Sequence, residues 1–290
     1  MKKEVFSITN KRKQQLHALR FVPDVIVNKR KVLIWHHGYG EHCERYSPLF
    51  EHMAENGIET YTYDCHGHGK SEPHVIHERA LVWDFNHLVD DFIFFSESIS
   101  LSYDINQLFF GGHSLGALVC VHAKLKMKKE KKSFPKLLGL VLHSAALDVV
   151  WDPLLTIQAG IGYILSMLFP YLQIVPKKDP FTVSNDIKLV EEFQDDPHGY
   201  HYSMRARTAY EILQAFHNLK RHHKDIGVPI YAVHGTSDFV TPLSAVKIFC
   251  NSIKSDDVCL KEIEGGYHEM LIGKGKYEHG NNIISWLSIH

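Results

Sequence analysis

The stretch QLFFGGHSLGALVCVHAKLKM, residues 107–127, joins an apolar run, a glycine-rich turn and a helix-forming segment. Residues 107–110 are typical of a buried strand, and residues 117–127 favour a helix. Between them GHSLG, residues 112–116, sets one serine between two glycines. Glycine is needed where a strand and a helix approach closely through a strained turn. The stretch therefore predicts a strand–turn–helix unit that presents the Ser114 hydroxyl at a helix N-terminus.

Other parts of the chain repeat this alternation of strand and helix. Helical spacing occurs in residues 46–56 and 82–100, and residues 5–27 are compatible with an antiparallel hairpin that turns at 10–13. Further predicted strands cover residues 32–35, 58–63, 137–142, 230–233 and 258–263. Such alternation predicts an α/β fold with a mostly parallel central sheet and helices on both faces.

The alternation stops between about residues 148 and 226, where glycines and prolines join helix-like pieces. We expect a core in two parts, residues 1–147 and 227–290, with residues 148–226 inserted as a helical cap. The first cap segment, residues 154–169, is apolar almost all round and must be covered. It packs the cap onto the core, or part of it lines an acyl-chain pocket and touches a membrane, and the two interpretations are compatible. The segment is shorter than the roughly twenty residues of a membrane span.

Composition excludes several classes of function. The chain has 290 residues, of which 44% are hydrophobic, and a formal net charge of -1. Without a basic field, nucleic-acid binding is not expected. A signal peptide is not expected in residues 1–10, and five cysteines without closely paired spacing fit a reducing compartment, so a cytoplasmic location is expected. Nothing in the composition predicts the oligomeric state.

The 22 histidines raise the question of metal binding. His268 and Glu269 begin an HExxH motif, but Ile272 stands where its second histidine belongs. Paired-cysteine motifs are also absent from the sequence, so no metal is expected. Most histidines are expected on the polar surface, for example His217, His222 and His223.

A lysine-rich segment, residues 124–136, follows the helix after Ser114. It lies away from the strand ends that carry the chemical motifs. A cationic, solvated helix end is favourable to the helix dipole, and attraction to anionic lipid is the alternative.

A serine hydroxyl needs a base to take its proton as it attacks a substrate. His268 follows the predicted strand 258–263, and Asp238 follows the predicted strand 230–233, where it can orient the imidazole. The chain order is then Ser, Asp, His. Asp256 and Asp257 precede the last strand and belong at the opposite edge of the sheet.

A tetrahedral oxyanion needs preorganised N–H donors. The N–H of Leu115, directly after the serine, is one expected donor. The second is expected from HGYG, residues 37–40, at the end of the first long strand, and Tyr39 N–H is the candidate.

These segments together resemble the monoacylglycerol lipase and lysophospholipase family of α/β-hydrolases. The resemblance rests on HGYGEH at residues 37–42 followed by Arg45-Tyr46, on DCHGHGKSE at 64–72, and on the Ser114, Asp238 and His268 segments. It implies the α/β-hydrolase fold and two-step hydrolysis of a single-chain lipid ester, a monoacylglycerol or a lysophospholipid, through an acyl-serine. It implies no metal and no cofactor, and it makes lipid binding by the cap more plausible.

The resemblance also implies substrate-side residues. Glu41, Arg45 and His113 correspond to residues that shape the polar, alcohol-side pocket of such enzymes. Leu271 and Phe193 stand where some members carry a histidine and a tyrosine, which removes polar contacts to a glycerol headgroup. A broad carboxylesterase or thioesterase, and a non-catalytic ligand-binding protein of the same fold, therefore remain alternatives.

Overall fold

A computed structural model of the protein describes residues 1–25, 30–132, 135–151, 153–177 and 179–290. Among these residues one large sheet contains eight strands. They are β1 (Lys2–Thr9), β2 (Gln15–Val22), β3 (Lys31–His36), β4 (Ile58–Tyr63), β5 (Gln107–His113), β6 (Lys136–His143), β9 (Ile230–Gly235) and β10 (Val258–Ile263). A separate antiparallel pair is formed by β7 (Gln173–Val175) and β8 (Met204–Arg205).

The strands of the large sheet lie in the order β1-β2-β4-β3-β5-β6-β9-β10. From β4 to β10 every neighbouring pair is parallel, whereas β1 with β2 and β2 with β4 are antiparallel. The predicted mostly parallel α/β sheet is therefore confirmed. Because parallel strands end at the same edge, the segments after β5, β9 and β10 lie at one edge of the sheet.

Helices cover both faces of the sheet, as predicted. The helices of the described chain are α1 (Ser47–Glu55), α2 (Phe85–Ser102), α3 (Leu115–Lys129), α4 (Pro153–Leu168), α5 (Pro180–Val183), α6 (Ile187–Gln194), α7 (Ala206–His222), α8 (Leu243–Ser252) and α9 (Lys276–Ile289). Short 3-10 helices occupy Cys43–Tyr46 and His223–Asp225.

The predicted N-terminal hairpin is confirmed as the antiparallel β1–β2 pair. Its turn needs no glycine because Asn10 Oδ1 accepts hydrogen bonds from the N–H groups of Arg12 and Gln14, at 3.0 and 2.9 Å. Lys13 takes a left-handed conformation with φ 63°. The prediction reached residue 27, which lies outside the described residues.

Two apolar cores lie on opposite faces of the sheet, since successive side chains of a strand point to opposite sides. On β3, Ile34 joins the core that contains Phe92 of α2, whereas Trp35 joins the core that contains Trp286 of α9. The sheet is thus buried on both sides, which explains the continuous apolar runs in its strands.

Between β6 and β9 the chain forms α4 to α7 and the small β7–β8 pair, and α4 packs against α7. Helix α4 agrees with the helix expected over residues 154–169. The division of the chain at residues 148 and 226 stays a prediction. No helix in the described parts of the chain is both long enough and apolar enough to cross a membrane.

The lysine-rich segment lies at the C-terminal end of α3, as expected. Lys126 pairs with Asp90 at 2.5 Å, Lys128 with Asp225 at 2.8 Å and Lys132 with Glu97 at 2.7 Å. These partly exposed pairs favour a solvated helix end over a lipid-binding patch.

His217, His222 and His223 are not buried, in agreement with the prediction, but many other histidines are. Within the described chain ten histidines are buried, namely His36, His37, His42, His68, His113, His122, His143, His234, His268 and His279. Most of them follow or end a strand of the large sheet, where loop backbone offers hydrogen-bond partners; His36 Nδ1, for example, lies 2.7 Å from the carbonyl oxygen of His37. A neutral imidazole that is hydrogen-bonded in this way tolerates burial.

Replacement of a core aromatic residue on α2 tests this packing. Phe92 is fully buried, between His36 and Phe110. We expect Phe92→Ala to lower the free energy of unfolding by about 3–5 kcal/mol, because the lost contacts leave a cavity. Leu101→Ala on the same helix, where the side chain is 74% exposed, should change it by less than about 0.5 kcal/mol. Urea denaturation followed by circular dichroism measures both; equal effects would contradict the assigned core.

Candidate active site

The turn at Ser114 is strained and closely packed. Ser114 has φ 52° and ψ -116°, a conformation that side chains rarely adopt, and it joins the end of β5 to the start of α3. A Cβ on Gly116 would lie 2.1 Å from the carbonyl oxygen of His36, and one on Gly112 would lie 2.4 Å from the backbone of Gly116. Glycine is therefore required on both sides of the serine.

His268 and Asp238 form a buried acid–imidazole pair. His268 Nδ1 lies 2.8 Å from Asp238 Oδ2, and the Asp238 side chain is fully buried. The other carboxylate oxygen accepts hydrogen bonds from the N–H groups of Val240 and Thr241, at 2.8 and 2.9 Å. The pair thus holds the imidazole in one orientation, with Nδ1 directed at the acid.

Neighbouring hydrogen bonds keep Asp238 ionised. Burial alone would raise the pKa of Asp238, but the bonds from His234 and His268 outweigh it and lower the pKa below its usual range. His234 Nε2 lies 3.2 Å from Asp238 Oδ2, and Thr241 Oγ1 donates to the same oxygen at 3.0 Å. A carboxylate with this many donors can stabilise a positive charge on the adjacent imidazole.

The serine lies at the same edge of the sheet as this pair. His113, directly before Ser114, packs its ring against the His268 ring with centroids 4.6 Å apart. Ser144, at the end of β6, donates a hydrogen bond from Oγ to the carbonyl oxygen of His268 at 2.8 Å. The rival acid Asp257 lies at the start of β10, at the opposite edge, where it pairs with His290 at 2.7 Å.

The segments that carry the expected oxyanion donors follow β3 and β5, at the same edge of the sheet. Leu115 is the first residue of α3, so its N–H has no acceptor within the helix. Two hydrogen bonds hold the loop that contains Tyr39. Gly38 N–H donates to the Glu41 side chain at 2.9 Å, and His37 Nε2 accepts from Cys65 N–H at 3.0 Å. The Tyr39 ring packs against His68, with centroids 5.7 Å apart.

The side chains of Glu41, Arg45 and Glu269 form a buried charged cluster with His113. His113 Nε2 is 3.3 Å from Glu269 and 3.6 Å from Glu41, and Arg45 is 3.1 Å from Glu41 and 3.7 Å from Glu269. Burial would lower the pKa of His113, but the carboxylates of Glu269 and Glu41 outweigh it and raise the pKa. With His113 protonated, two cations balance two anions in a water-poor region.

The same cluster offers ligand atoms from Glu41, His113 and Glu269 that are close enough for a metal ion. Glu41, however, already accepts hydrogen bonds from Tyr46 at 2.9 Å and from Gly38, and Arg45 supplies a fixed positive charge. A divalent cation would add charge to a cluster that is already balanced. We therefore assign no metal here.

Two predicted substrate-side residues lie in different surroundings. Phe193 carries the Arg45 guanidinium over its ring at 4.9 Å, and so borders the charged cluster. Leu271 is only 1% exposed and packs in the core that contains Trp35. Because its side chain is not accessible, Leu271 is left out of the proposed site.

Sequence reasoning missed several side chains of this region. Glu269, His234, Thr241 and Ser144 all support His113, Asp238 or His268. Glu269 follows His268 directly, and His234 follows the predicted strand 230–233. Both residues therefore lie within segments that the sequence had already indicated. Nothing in the sequence, however, distinguished them from the other acids and histidines.

Comparison with known proteins shows that the protein is an α/β-hydrolase. Residues 27–274 match the family model described as serine aminopeptidase, S33, and the chain belongs to that family. Among curated proteins it is similar to a monoacylglycerol lipase of Mycolicibacterium smegmatis, with 24% identity over 93% of this chain and 91% of the relative. A monoglyceride lipase homolog of monkeypox virus is 27% identical over 81% of this chain and 80% of the relative.

Solved structures share the fold. The monoacylglycerol lipase of Paleococcus ferrophilus superposes with a TM-score of 0.78 at 23% identity, covering 94% of this chain and 98% of that chain. A soluble variant of monoglyceride lipase from Saccharomyces cerevisiae, in complex with a substrate analog, superposes with a TM-score of 0.83 at 20% identity, covering 99% and 95%. The protein is thus an α/β-hydrolase similar to monoacylglycerol lipases.

The close approach at Gly116 leads to a testable prediction. We expect Gly116→Ala to lower the free energy of unfolding by at least about 1–3 kcal/mol, because the new methyl group meets the rigid backbone of His36. Gly160→Ala in α4, where a Cβ would meet nothing within 4 Å, should be neutral or stabilising. Thermal unfolding of the two variants decides; a tolerated Gly116→Ala would contradict the tight turn.

Proposed function

We propose that the protein hydrolyses carboxylic esters of single-chain lipids through an acyl-Ser114 intermediate. Ser114 Oγ attacks the ester carbonyl while His268 Nε2 takes its proton, and Asp238 stabilises the imidazolium that forms. The N–H groups of Leu115 and Tyr39 stabilise the oxyanion. The observation that carries this proposal is the 2.8 Å contact of His268 with the ionised Asp238, at the edge of the sheet where the strained serine lies.

The second half of the cycle uses the same residues. His268 returns its proton to the departing alcohol, and the alcohol leaves Ser114 acylated. A water molecule then gives a proton to His268 as it attacks the acyl carbonyl. His268 passes that proton to Ser114 Oγ as the bond between the acyl carbon and the serine oxygen breaks, and the fatty acid is released. These steps need proton transfer and charge stabilisation, which the side chains named here supply without a cofactor.

The substrate we infer is a monoacylglycerol or a lysophospholipid. The relatives with a monoacylglycerol or monoglyceride lipase name support a single acyl chain. The polar cluster of Glu41, Arg45 and His113, with Phe193 beside it, supports an alcohol group on that side of Ser114. Glu269 brings a second carboxylate to this cluster.

Removal of the nucleophile tests the reaction. We expect Ser114→Ala to lower kcat on a monoacylglycerol by about a millionfold, because the three residues act as a unit. An organophosphonate probe should label the wild-type chain once and this variant not at all. Ser288→Ala, an exposed serine on α9, serves as the folded control. Labelling that persists in Ser114→Ala would end the proposal.

A substrate panel measured with the same enzyme separates the alternatives. Faster turnover of monoacylglycerol or lysophosphatidylcholine than of p-nitrophenyl acetate supports the lipid assignment. Turnover of short esters or thioesters alone would identify a broad carboxylesterase or thioesterase. An absence of turnover, with tight binding, would identify a non-catalytic module.

We also infer that the cap contacts a lipid surface. Helix α4 and the residues after it expose large apolar side chains, namely Ile161, Tyr163, Ile164, Met167, Leu168, Phe169, Tyr171 and Leu172. A contiguous exposed apolar patch is typical of an interaction site. A lipid aggregate is the occupant that the proposed substrate requires, and the protein would then work as a peripheral enzyme at that surface.

Binding to vesicles tests this surface. We expect the double variant Ile164→Ser and Leu168→Ser to bind neutral phosphatidylcholine vesicles at least about tenfold more weakly, because each side chain loses on the order of 1 kcal/mol of apolar burial. Ile248→Ser with Leu101→Ser, two exposed residues away from the cap, is the matched control. Sedimentation with vesicles measures binding; equal losses in both double variants would refute a cap-specific contact.

A further inference from the structure

A second group of metal-ligating side chains lies at the edge of the sheet, apart from the charged cluster beside His113. It consists of His17 of β2, Cys43 at the start of the 3-10 helix before α1, and Asp64 directly after β4. One ligand atom from each residue lies within 4.8 Å of the other two. The three residues come from separate segments, so only the fold brings them together.

The three side chains are held in place and largely shielded from water. Cys43 and Asp64 are buried. The Asp64 carboxylate accepts one hydrogen bond on each oxygen, from Cys43 N–H at 2.8 Å and from Lys70 N–H at 2.7 Å, and these two bonds fix its orientation. Outer contacts of this kind are what metal-binding carboxylates use to keep their direction.

His17 has a ring nitrogen that is available to bind a ligand. Its Nε2 is buried and has no hydrogen-bond partner among the described residues, although the residue as a whole is partly exposed. A buried imidazole nitrogen without a partner is costly, and a ligand that accepts its lone pair removes that cost. The exposed side of His17 also offers a route from solvent to the site.

We propose that His17, Cys43 and Asp64 bind a thiophilic divalent cation of the Zn²⁺ type. Zn²⁺ takes sulfur at about 2.3 Å and nitrogen or oxygen at about 2.0–2.2 Å, with four ligands in a tetrahedron. The three side chains supply sulfur, nitrogen and oxygen, and a water molecule completes the set. One thiolate and one carboxylate cancel the two charges of the ion, so a neutral unit is buried.

Binding exchanges the ion for a proton. The ion displaces the proton of the Cys43 thiol when it binds. That proton passes to the buffer, and the ion forms a bond to the thiolate. Binding therefore strengthens as the pH rises.

The position of the site suggests what the ion would do. Cys43 ends the loop that carries Tyr39 and Glu41, and Asp64 begins the loop of residues 64–72. An ion held by both, and by β2, would join these segments with bonds far stronger than the present hydrogen bonds. It would restrict the loop expected to carry an oxyanion donor, without any contact to His268.

Titration with Co²⁺ tests the proposal on the full-length, reduced and metal-free protein. Co²⁺ replaces Zn²⁺ in such sites, and a thiolate ligand adds an intense absorption in the near ultraviolet. We expect this absorption in the wild type, its loss on addition of Zn²⁺, and its absence in Cys43→Ser. His17→Gln should keep the absorption but bind Co²⁺ at least about tenfold more weakly, since even outer-contact changes cost roughly 10–100-fold in affinity.

Two cysteine controls make the outcome decisive. Cys259→Ser removes an exposed thiol and should behave as wild type. Cys65→Ser removes a buried thiol whose sulfur lies 3.2 Å from His68, and should also keep the absorption. Loss of the thiolate absorption in either control, or its persistence in Cys43→Ser, would overturn the proposal. Binding of Co²⁺ to the wild type without the thiolate absorption would also overturn the proposal. Thermal unfolding of each variant checks that the variant is folded.

Discussion

The close approach of β5 and α3 at Ser114 is the constraint on which the rest of the site depends. Gly112 and Gly116 leave no room for a side chain between the strand, the helix and the neighbouring backbone of His36. The serine between them is forced into a left-handed conformation. Packing of the sheet and helix outweighs that strain, because both are buried in the cores on either face. The result is a hydroxyl raised above the sheet edge, at a helix N-terminus.

Charge compensation is the second feature that the fold imposes. Asp238 is fully buried, yet it stays ionised because two imidazoles, a hydroxyl and two N–H groups surround it. In the cluster of Glu41, Arg45, His113 and Glu269, the two carboxylates lie against a guanidinium and an imidazole whose pKa they raise. Buried charges survive only where partners replace the lost water. These partners also fix the directions of the imidazoles beside the serine.

The strands, the helices and the strand–turn–helix unit were predictable because they depend on local patterns. Apolar runs identified the buried strands to within a few residues, and glycines marked the turn at Ser114. The surroundings of the histidines were not predictable. Ten of them are buried in the described chain, and partners such as the Asp238 carboxylate for His268 and the carbonyl oxygen of Ala215 for His122 come from distant segments. Leu271 shows the same limit: its place in a motif indicated a substrate contact, and packing places it in the core.

The sequence by itself determined the class of fold, the segments at the ends of the strands, and the three residues proposed for catalysis, because chemistry of this kind needs particular residue types in particular local turns. Only the tertiary structure decided which charges meet. Glu269 faces His113 and Arg45, and His17 faces Cys43 and Asp64, across contacts between segments far apart in the chain. Electrostatic and metal-binding interactions act over a few ångströms in space, and a linear sequence does not record those distances.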